Sequence, residues 1–336
     1  MYSKSNRELT YSLAINEALH QMMGIDKSVF LIGQGVKSPW YIGNTTTKLI
    51  ERFGEERIID TPVSENAVTG LAVGAAIAGM RPIVVHPRLD FMMYAMDPII
   101  NEAANWHYMF GGKMSVPVVV WGIINRGGEQ AAQHSQSMHA IFAHIPGLKV
   151  VSPSTPYDAK GLLISAILDD NPVIFMDDRW LYNMKGKVPK EIYSVPIGKA
   201  AVIRKGKDVS LIASSYMVLE ALKAAESLQK EGIDAEVVDL RSIKPLDETL
   251  LLNSVKRTRR AVIIDGGWRS YGIAAEISAL LGEHLYKNLK APVRRVTLPD
   301  VPAPASSSLE KHYYPDNNVI AGTVKRMFSH GSRKKK

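Results

Sequence analysis

Residues 57–85 read RIIDTPVSENAVTGLAVGAAIAGMRPIVV, and this stretch decides the fold class. At one end, residues 82–85 are a short apolar run of the kind that forms a buried strand, and at the other, residues 57–60 predict a short strand around Ile58 and Ile59. Residues 67–80 between them are mostly small and apolar, and they are numerous enough for a helix. Neighbouring parallel strands are usually connected by such a helix. The stretch therefore predicts a strand–helix–strand unit, and we expect its helix to be buried.

The same alternation of strand and helix patterns continues on both sides. Further strands are predicted at residues 29–33, 117–121, 209–213, 235–240, 261–265 and 293–298, and helices at 11–24, 47–53, 93–109, 217–230, 247–257 and 272–286. Such alternation favours parallel sheets with helices on both faces. We predict an α/β protein of two doubly wound domains, a parallel-sheet domain over residues 1–183 and a smaller domain over 201–330, joined by a linker over 184–200.

The composition excludes several classes of protein. The sequence contains no cysteine, which rules out disulfides, thiolate nucleophiles and cysteine-ligated zinc. The first residues have neither the apolar core of a signal peptide nor the composition of a transit peptide. The apolar run over residues 67–80 is too short to cross a bilayer. We therefore predict a cytoplasmic protein that does not enter a membrane.

The net charge of +8 raises the question of a nucleic-acid partner. The visible basic clusters are residues 256–260 and 333–336, and neither lies in an aromatic-interleaved nucleic-acid motif. A solvated face and a basic terminus account for the surplus. We favour this reading and expect no nucleic-acid partner, while a scaffold or nucleic-acid-binding protein stays as a hypothesis from another class.

The segment that opens the central helix has a structural explanation and a functional one. Pro62 stops the preceding strand, Ser64 is a good helix cap, and Glu65 falls in the first turn, where the helix dipole favours a carboxylate.

Glycines inside the helix, such as Gly70 and Gly74, destabilise it by roughly 1 kcal/mol each relative to alanine. A closely approaching helix or subunit would offset that cost. A phosphate-binding loop is disfavoured because no Gly-Lys-Ser/Thr follows.

His134 stands in a loop that follows a predicted core strand and a pair of glycines, Gly127 and Gly128. Ligand sites in open α/β sheets lie beyond the carboxyl ends of the strands. This position is compatible with a catalytic imidazole, although position alone favours an ordinary surface or hydrogen-bonded loop histidine. The sequence has no HExxH pair and no GxSxG elbow, so a zinc protease and a serine hydrolase have no local support.

Five segments, taken together, resemble the β subunit of the thiamine-diphosphate-dependent first component of 2-oxo-acid dehydrogenases, a pyruvate dehydrogenase β-like protein of the transketolase family. They are DTPVSE at 60–65, GMRP at 79–82, AQHSQ at 132–136, PGLKVVSP at 146–153 and DLRSIKPLD at 239–247. The resemblance implies a transketolase pyrimidine-binding domain followed by a transketolase C-terminal-like domain. It also implies oxidative decarboxylation of a 2-oxo acid with acyl transfer to lipoamide.

The resemblance assigns roles to particular residues. Glu65 matches the glutamate that hydrogen-bonds the coenzyme's pyrimidine ring and shares a proton with it, and Phe91 matches the aromatic residue that packs on that ring. His134 matches the histidine that faces the reacting carbon. Relatives hold a potassium ion through positions that match Val118, Ala166, Ile167, Asp169 and Asn171. A helix end turning into a strand is the alternative explanation of that last loop.

The resemblance also implies a second polypeptide. In relatives, an α-type subunit binds the diphosphate and its Mg²⁺ through a Gly-Asp-Gly motif, which this sequence lacks. The segment most similar to that motif is Asp265-Gly266-Gly267, which lacks the glycine before the aspartate. Shared thiamine diphosphate, an α₂β₂ assembly and a lipoyl acyltransferase partner are the expectations that follow.

One run departs from the usual pattern of the family. Relatives usually carry a Glu-Phe-Met-Thr-Phe-like run where this chain has VHPRLD over residues 85–90. The run borders the coenzyme pocket in relatives, so His86, Pro87 and Arg88 put the usual substrates in doubt. They motivate an alternative function, a split transketolase-like enzyme of a biosynthetic pathway that does not use lipoamide.

Overall fold

A computed structural model of the chain describes residues 7–38 and 40–329. Contacts within the chain divide it into two units. The first consists of Met1–Arg126 with Gln133–Ile197, and the second of Gly127–Ala132 with Gly198–Lys336. The short segment Gly127–Ala132 thus groups with the second unit although it lies in the middle of the first in sequence.

The first unit is built on a parallel sheet. Its strands are β1 (Glu8–Thr10), β2 (Val29–Gly33), β3 (Ile58–Asp60), β4 (Arg81–His86), β5 (Val119–Ile124), β6 (Lys149–Val151), β7 (Val173–Asp178) and β8 (Lys185–Lys187). Six of them run parallel in the order β6-β7-β5-β4-β2-β3. Strands β1 and β8 form a separate antiparallel pair. Every residue of β2, β5 and β7 is buried, as expected for strands covered on both faces.

Helices cover this sheet. They are α1 (Tyr11–Ile25), α2 (Leu49–Phe53), α3 (Glu65–Ile77), α4 (Asn105–Met109), α5 (His139–His144) and α6 (Pro156–Leu168), with 3-10 helices at Leu89–Ala95 and Arg179–Leu181 and a π-helix at Pro98–Ala104. Local chemistry fixes two of the starts. Thr10 caps α1 by accepting a hydrogen bond from the Leu13 amide, and Thr155 caps α6 in the same way.

The structure corrects two expectations about α3. Only one face of the helix is buried, at Thr69, Ala72, Val73 and Ala76. Strand β4, the 3-10 helix Leu89–Ala95 and the π-helix Pro98–Ala104 pack against it. The opposite face is open, with Leu71 56% exposed. Ser64 does stand at the cap position, but its hydroxyl makes no cap hydrogen bond and donates instead to the Pro62 carbonyl at 3.4 Å. The helix is therefore buried on one face only, and Ser64 occupies the predicted cap position without making the cap hydrogen bond.

The second unit repeats the α/β pattern. Its strands are β9 (Ala201–Arg204), β10 (Val209–Ala213), β11 (Ala235–Asp239), β12 (Ser242–Lys244), β13 (Ala261–Trp268) and β14 (Arg294–Leu298). Its helices are α7 (Met217–Lys230), α8 (Glu248–Thr258), α9 (Ile273–Leu285), α10 (Ser307–Tyr313) and α11 (Asn317–Ser329). Five strands form a sheet in the order β14-β13-β10-β11-β9, in which only β9 is antiparallel. The predicted class of two mostly parallel α/β domains is confirmed.

The basic cluster at residues 256–260 is largely engaged in contacts within the second unit. Arg257 forms an ion pair with the buried carboxylate of Glu236, and Arg260 lies 4.1 Å from the ring centroid of Phe328. The Arg259 side chain donates to the Asn288 carbonyl. The other cluster, residues 333–336, lies outside the described residues. In the described part of the chain, no helix has the length and apolarity to cross a membrane.

Candidate functional site

Glu65 is placed at the carboxyl edge of the first sheet. It opens α3 shortly after β3, while Gln34 directly follows the neighbouring strand β2. The Gln34 side-chain amide donates to Glu65 Oε1 at 3.1 Å. Among the described residues, the second carboxylate oxygen of Glu65 makes no hydrogen bond. One oxygen is thus held in position and the other can accept a hydrogen bond from a ligand.

Phe91 and His134 meet at the same edge. Their ring centroids lie 5.3 Å apart, with the ring planes at 88°. This edge-to-face geometry is a preferred arrangement of aromatic rings. Both side chains are only partly buried, so each keeps an accessible part. The 3-10 helix that carries Phe91 packs against α3, the helix that Glu65 opens.

The segment before His134 is anchored within the second unit. The Gly127 amide donates to the Tyr314 hydroxyl at 3.1 Å, and the Glu129 amide donates to Glu310 Oε1 at 3.0 Å. The Glu129 carboxylate in turn accepts from the Ser307 amide. Glu129 and Ala131 adopt left-handed backbone conformations, with φ of 61° and 58°. Such conformations are costly for residues other than glycine and persist where surrounding contacts hold them.

The segment VHPRLD at residues 85–90, which differs from the usual family pattern, is largely buried. His86 Nε2 lies 3.1 Å from the Thr69 hydroxyl of α3, and both side chains are buried. Burial lowers the pKa of His86 to about 4. Arg88 is half-buried, its guanidinium donates to the Pro87 carbonyl, and burial lowers its pKa. His86 therefore serves the packing between β4 and α3, and Arg88 is the more accessible of the two.

We predict that His86 makes folding sensitive to mild acid. Its pKa is about 4 when folded and close to 6.5 when unfolded, so the unfolded chain binds more protons between these values. The stability that neutral His86 contributes is complete above about pH 6.5 and is lost as the pH falls toward 4, by about 3 kcal/mol in all. Urea unfolding at pH 7 and pH 4.5 should show a smaller loss for His86→Gln than for the wild type. An equal loss in both proteins would contradict this, and His284→Gln on the exposed end of α9 is the control.

The loop matched to potassium binding lies between α6 and β7. The Arg81 guanidinium donates to the carbonyls of Ile167 and Asp169, both at 3.0 Å. The Val118 carbonyl accepts from the Val173 amide at 3.0 Å. The Asp169 carboxylate forms an ion pair with Lys149. Two of the five predicted positions, Ile167 and Asp169, thus come together around the Arg81 guanidinium, and Asp169 also lies beside Lys149.

Comparisons with known proteins match both halves of the chain. Residues 7–185 match the family model of the transketolase pyrimidine-binding domain, and residues 198–320 match that of the transketolase C-terminal domain. The β subunit of acetoin:2,6-dichlorophenolindophenol oxidoreductase from Cupriavidus necator is 45% identical, covering 97% of this chain and 99% of that protein. The pyruvate dehydrogenase E1 component subunit beta of Rickettsia felis is 42% identical, covering 95% and 98%.

The chain belongs to the transketolase-like family of dehydrogenase β subunits. A solved structure described as a split-gene transketolase, an inactive beta4 tetramer, has a TM-score of 0.77 and 21% identity, and covers 96% of this chain and 98% of that one. At that identity the likeness concerns the fold alone. It agrees with the two α/β units described above.

The residues present fit the thiamine coenzyme that this family implies. Glu65 has a carboxyl oxygen with no hydrogen-bond partner in the described part of the chain, so it can share a proton with a pyrimidine nitrogen, and Gln34 fixes its other oxygen. Phe91 offers a partly open ring on the 3-10 helix beside α3. The donor set is therefore suited to the pyrimidine end of the coenzyme.

Three supporting residues were not among the predicted site residues. Gln34 contacts Glu65, while Asp90 accepts hydrogen bonds from Gln136 near His134. The signal for Gln34 was its position directly after a strand at the same sheet edge. Asp90 lies in the segment at residues 85–90, but its pairing with a residue 46 positions away leaves no local pattern.

Proposed function

We propose that this chain is the β subunit of a thiamine-diphosphate-dependent 2-oxo-acid dehydrogenase, which carries out oxidative decarboxylation with acyl transfer to lipoamide. The observation that supports this most directly is Glu65, held through one oxygen by Gln34 at the start of α3. When bound, the coenzyme supplies the carbon nucleophile and stabilises negative charge on the substrate. This chain supplies the groups that hold and protonate its pyrimidine end.

Each predicted residue has a distinct task in this proposal. The Glu65 carboxyl group hydrogen-bonds a nitrogen of the pyrimidine ring, donating while it carries the shared proton and accepting once the ring nitrogen has taken that proton. Phe91 packs on the ring and orients it. His134, whose ring rests on Phe91, handles a proton or steadies the acyl group during transfer.

An α-type subunit completes the site in this proposal and holds the diphosphate and Mg²⁺ within an α₂β₂ assembly. The open face of α3 supports it, because Ala67, Leu71, Gly74 and Ala78 are all exposed in the single chain. A Cβ added at Gly70 or Gly74 would meet nothing within 4 Å in the described structure. The close backbone approach that would offset the cost of these glycines is therefore expected from a partner. Docking it would also shield Glu65 from water.

We also propose a potassium ion in the loop after α6, bound by carbonyls of Ala166, Ile167, Asp169, Asn171 and Val118. Carbonyl oxygens have two lone pairs, so the ion can share two of them with Arg81. The nearby guanidinium charge weakens the binding. We expect the thermal midpoint of the assembled protein to be higher in KCl than in NaCl at equal ionic strength, and more so for Arg81→Gln. Equal midpoints in the two salts for both proteins would refute the site.

Reconstitution tests the function. The chain is combined with an α-type subunit that carries the Gly-Asp-Gly motif, thiamine diphosphate and Mg²⁺, and offered pyruvate, branched-chain 2-oxo acids and acetoin. 2,6-Dichlorophenolindophenol or a lipoyl domain serves as acceptor. Turnover that requires both chains and is transferred to the lipoyl domain supports the proposal. Turnover only with sugar acceptors, indifferent to the lipoyl domain, would favour the split transketolase alternative that the run at residues 85–90 motivates.

A further inference from the structure

The carboxylate of Asp90 is hydrogen-bonded to the loop that carries His134. Its Oδ1 accepts two hydrogen bonds from one residue, the Gln136 backbone amide at 3.1 Å and the Gln136 side-chain amide at 2.8 Å. The first bond fixes the main chain two residues after His134, and the second fixes the rotamer of Gln136. Asp90 is 6% exposed, so water competes little for these bonds.

A second contact holds the histidine itself, and it comes from the next residue of the same 3-10 helix. Phe91 places its ring against the His134 ring at 5.3 Å. Two consecutive residues, Asp90 and Phe91, therefore hold the loop at two points, its main chain and its imidazole. The helix that carries both is packed on α3. Movement of the histidine relative to this helix requires breaking both contacts.

Burying the Asp90 carboxylate in the protein is unfavourable, because the charged group loses its hydration. Burial raises the pKa of Asp90, while the Gln136 hydrogen bonds and the electrostatic interaction with His134 oppose that rise. Its second oxygen is buried without a hydrogen bond in the described structure. Leaving a buried polar atom without a hydrogen bond destabilises the folded protein. Unsatisfied buried polar groups are rare in native proteins, so this one calls for an explanation.

We propose that Asp90 is a positioning residue that fixes the imidazole of His134 through Gln136. The inference rests on the proposed function of His134, and Asp90 itself touches no reacting atom. It predicts that the acceptor oxygen matters more than the carboxylate charge. Asparagine offers an oxygen of the same geometry to both Gln136 donors, whereas leucine has a similar volume and no acceptor.

The kinetic test compares Asp90→Leu and Asp90→Asn in the assembled enzyme. Misplacement of a catalytic group by about 1 Å costs on the order of 100-fold in rate. We expect Asp90→Leu to lower kcat by roughly 30–100-fold, with KM changed less than about threefold, and Asp90→Asn to restore most of kcat. The matched control is Asp247→Leu, which removes a carboxylate that accepts from the amides of Leu250 and Ala200 in the second unit. Its kcat per folded molecule should equal that of the wild type.

A second measurement needs neither coenzyme nor partner. Amide hydrogen exchange in the isolated chain should show protection at residues 134–137 in the wild type and in Asp90→Asn, and loss of it in Asp90→Leu. Unchanged protection or unchanged kcat in Asp90→Leu would overturn the proposal, and so would a loss of kcat that Asp90→Asn does not restore. An inactive wild-type assembly would count against the proposed function, and the exchange pattern alone would then decide the role of Asp90.

Discussion

Glu65→Gln is expected to lower the decarboxylation rate of the assembled enzyme by about 10²- to 10⁴-fold, the usual contribution of general acid–base catalysis. Glutamine has the same size as glutamate and keeps an oxygen for the contact with Gln34. It cannot carry the proton that the carboxyl group shares with the pyrimidine. The loss should therefore appear in kcat, measured with saturating coenzyme.

A control separates this effect from general damage to the protein. Glu226 lies exposed on α7 in the second unit, and Glu226→Gln should leave kcat unchanged. The thermal midpoint of Glu65→Gln should stay close to that of the wild type, because Glu65 is only partly buried. Wild-type turnover in the Glu65→Gln assembly would remove the main support for the coenzyme site.

His134→Asn is expected to reduce acyl transfer to a lipoyl domain by about 100-fold or more. Asparagine retains hydrogen-bonding groups but cannot exchange a proton near neutral pH, and it loses the ring that rests on Phe91. Affinity for the coenzyme should change little, because the hydrogen bond that positions Glu65 comes from Gln34 and not from His134. Reduction of 2,6-dichlorophenolindophenol, which bypasses the lipoyl domain, should fall less than lipoyl transfer.

The comparison between the two acceptors decides the role of His134. An equal, large loss with both acceptors would place it in the decarboxylation half of the reaction instead. Unchanged transfer to the lipoyl domain would exclude a catalytic role. His312→Asn, on the exposed side of α10, should match the wild type with both acceptors.

Much of the fold could be predicted because its central elements have clear local patterns. The strands Val29–Gly33 and Val209–Ala213 and the helix Met217–Lys230 were predicted with their observed bounds. The strands are short, fully buried apolar runs, and the helix has one apolar face with three- and four-residue spacing. Such elements depend little on the rest of the chain.

Other features depend on contacts distant in sequence and could not be predicted. The open face of α3 is apolar, and composition alone does not distinguish a core face from a face that a partner would cover. Gly127–Ala132 groups with the second unit through Tyr314 and Glu310, more than 180 residues away. The predicted boundaries at 1–183, 184–200 and 201–330 remain a prediction, and the stretch proposed as the linker includes strand β8.

The candidate site likewise contains residues that the sequence could predict and residues that it could not. Resemblance to relatives pointed to Glu65, Phe91 and His134, and the structure brings Phe91 and His134 into contact. The groups that orient them, Gln34 and Asp90, are recognisable only in three dimensions. Their hydrogen bonds connect residues 31 and 46 positions apart.

The central claim is that Glu65 drives proton exchange at the coenzyme once a partner has enclosed it. The most direct test is the rate at which the thiazolium C2 hydrogen of bound thiamine diphosphate exchanges with deuterium in the assembled pair, without any substrate. We predict fast exchange in the wild type and exchange at least about 100-fold slower in Glu65→Gln, with the coenzyme still bound. Equal exchange rates in the two assemblies would contradict the claim.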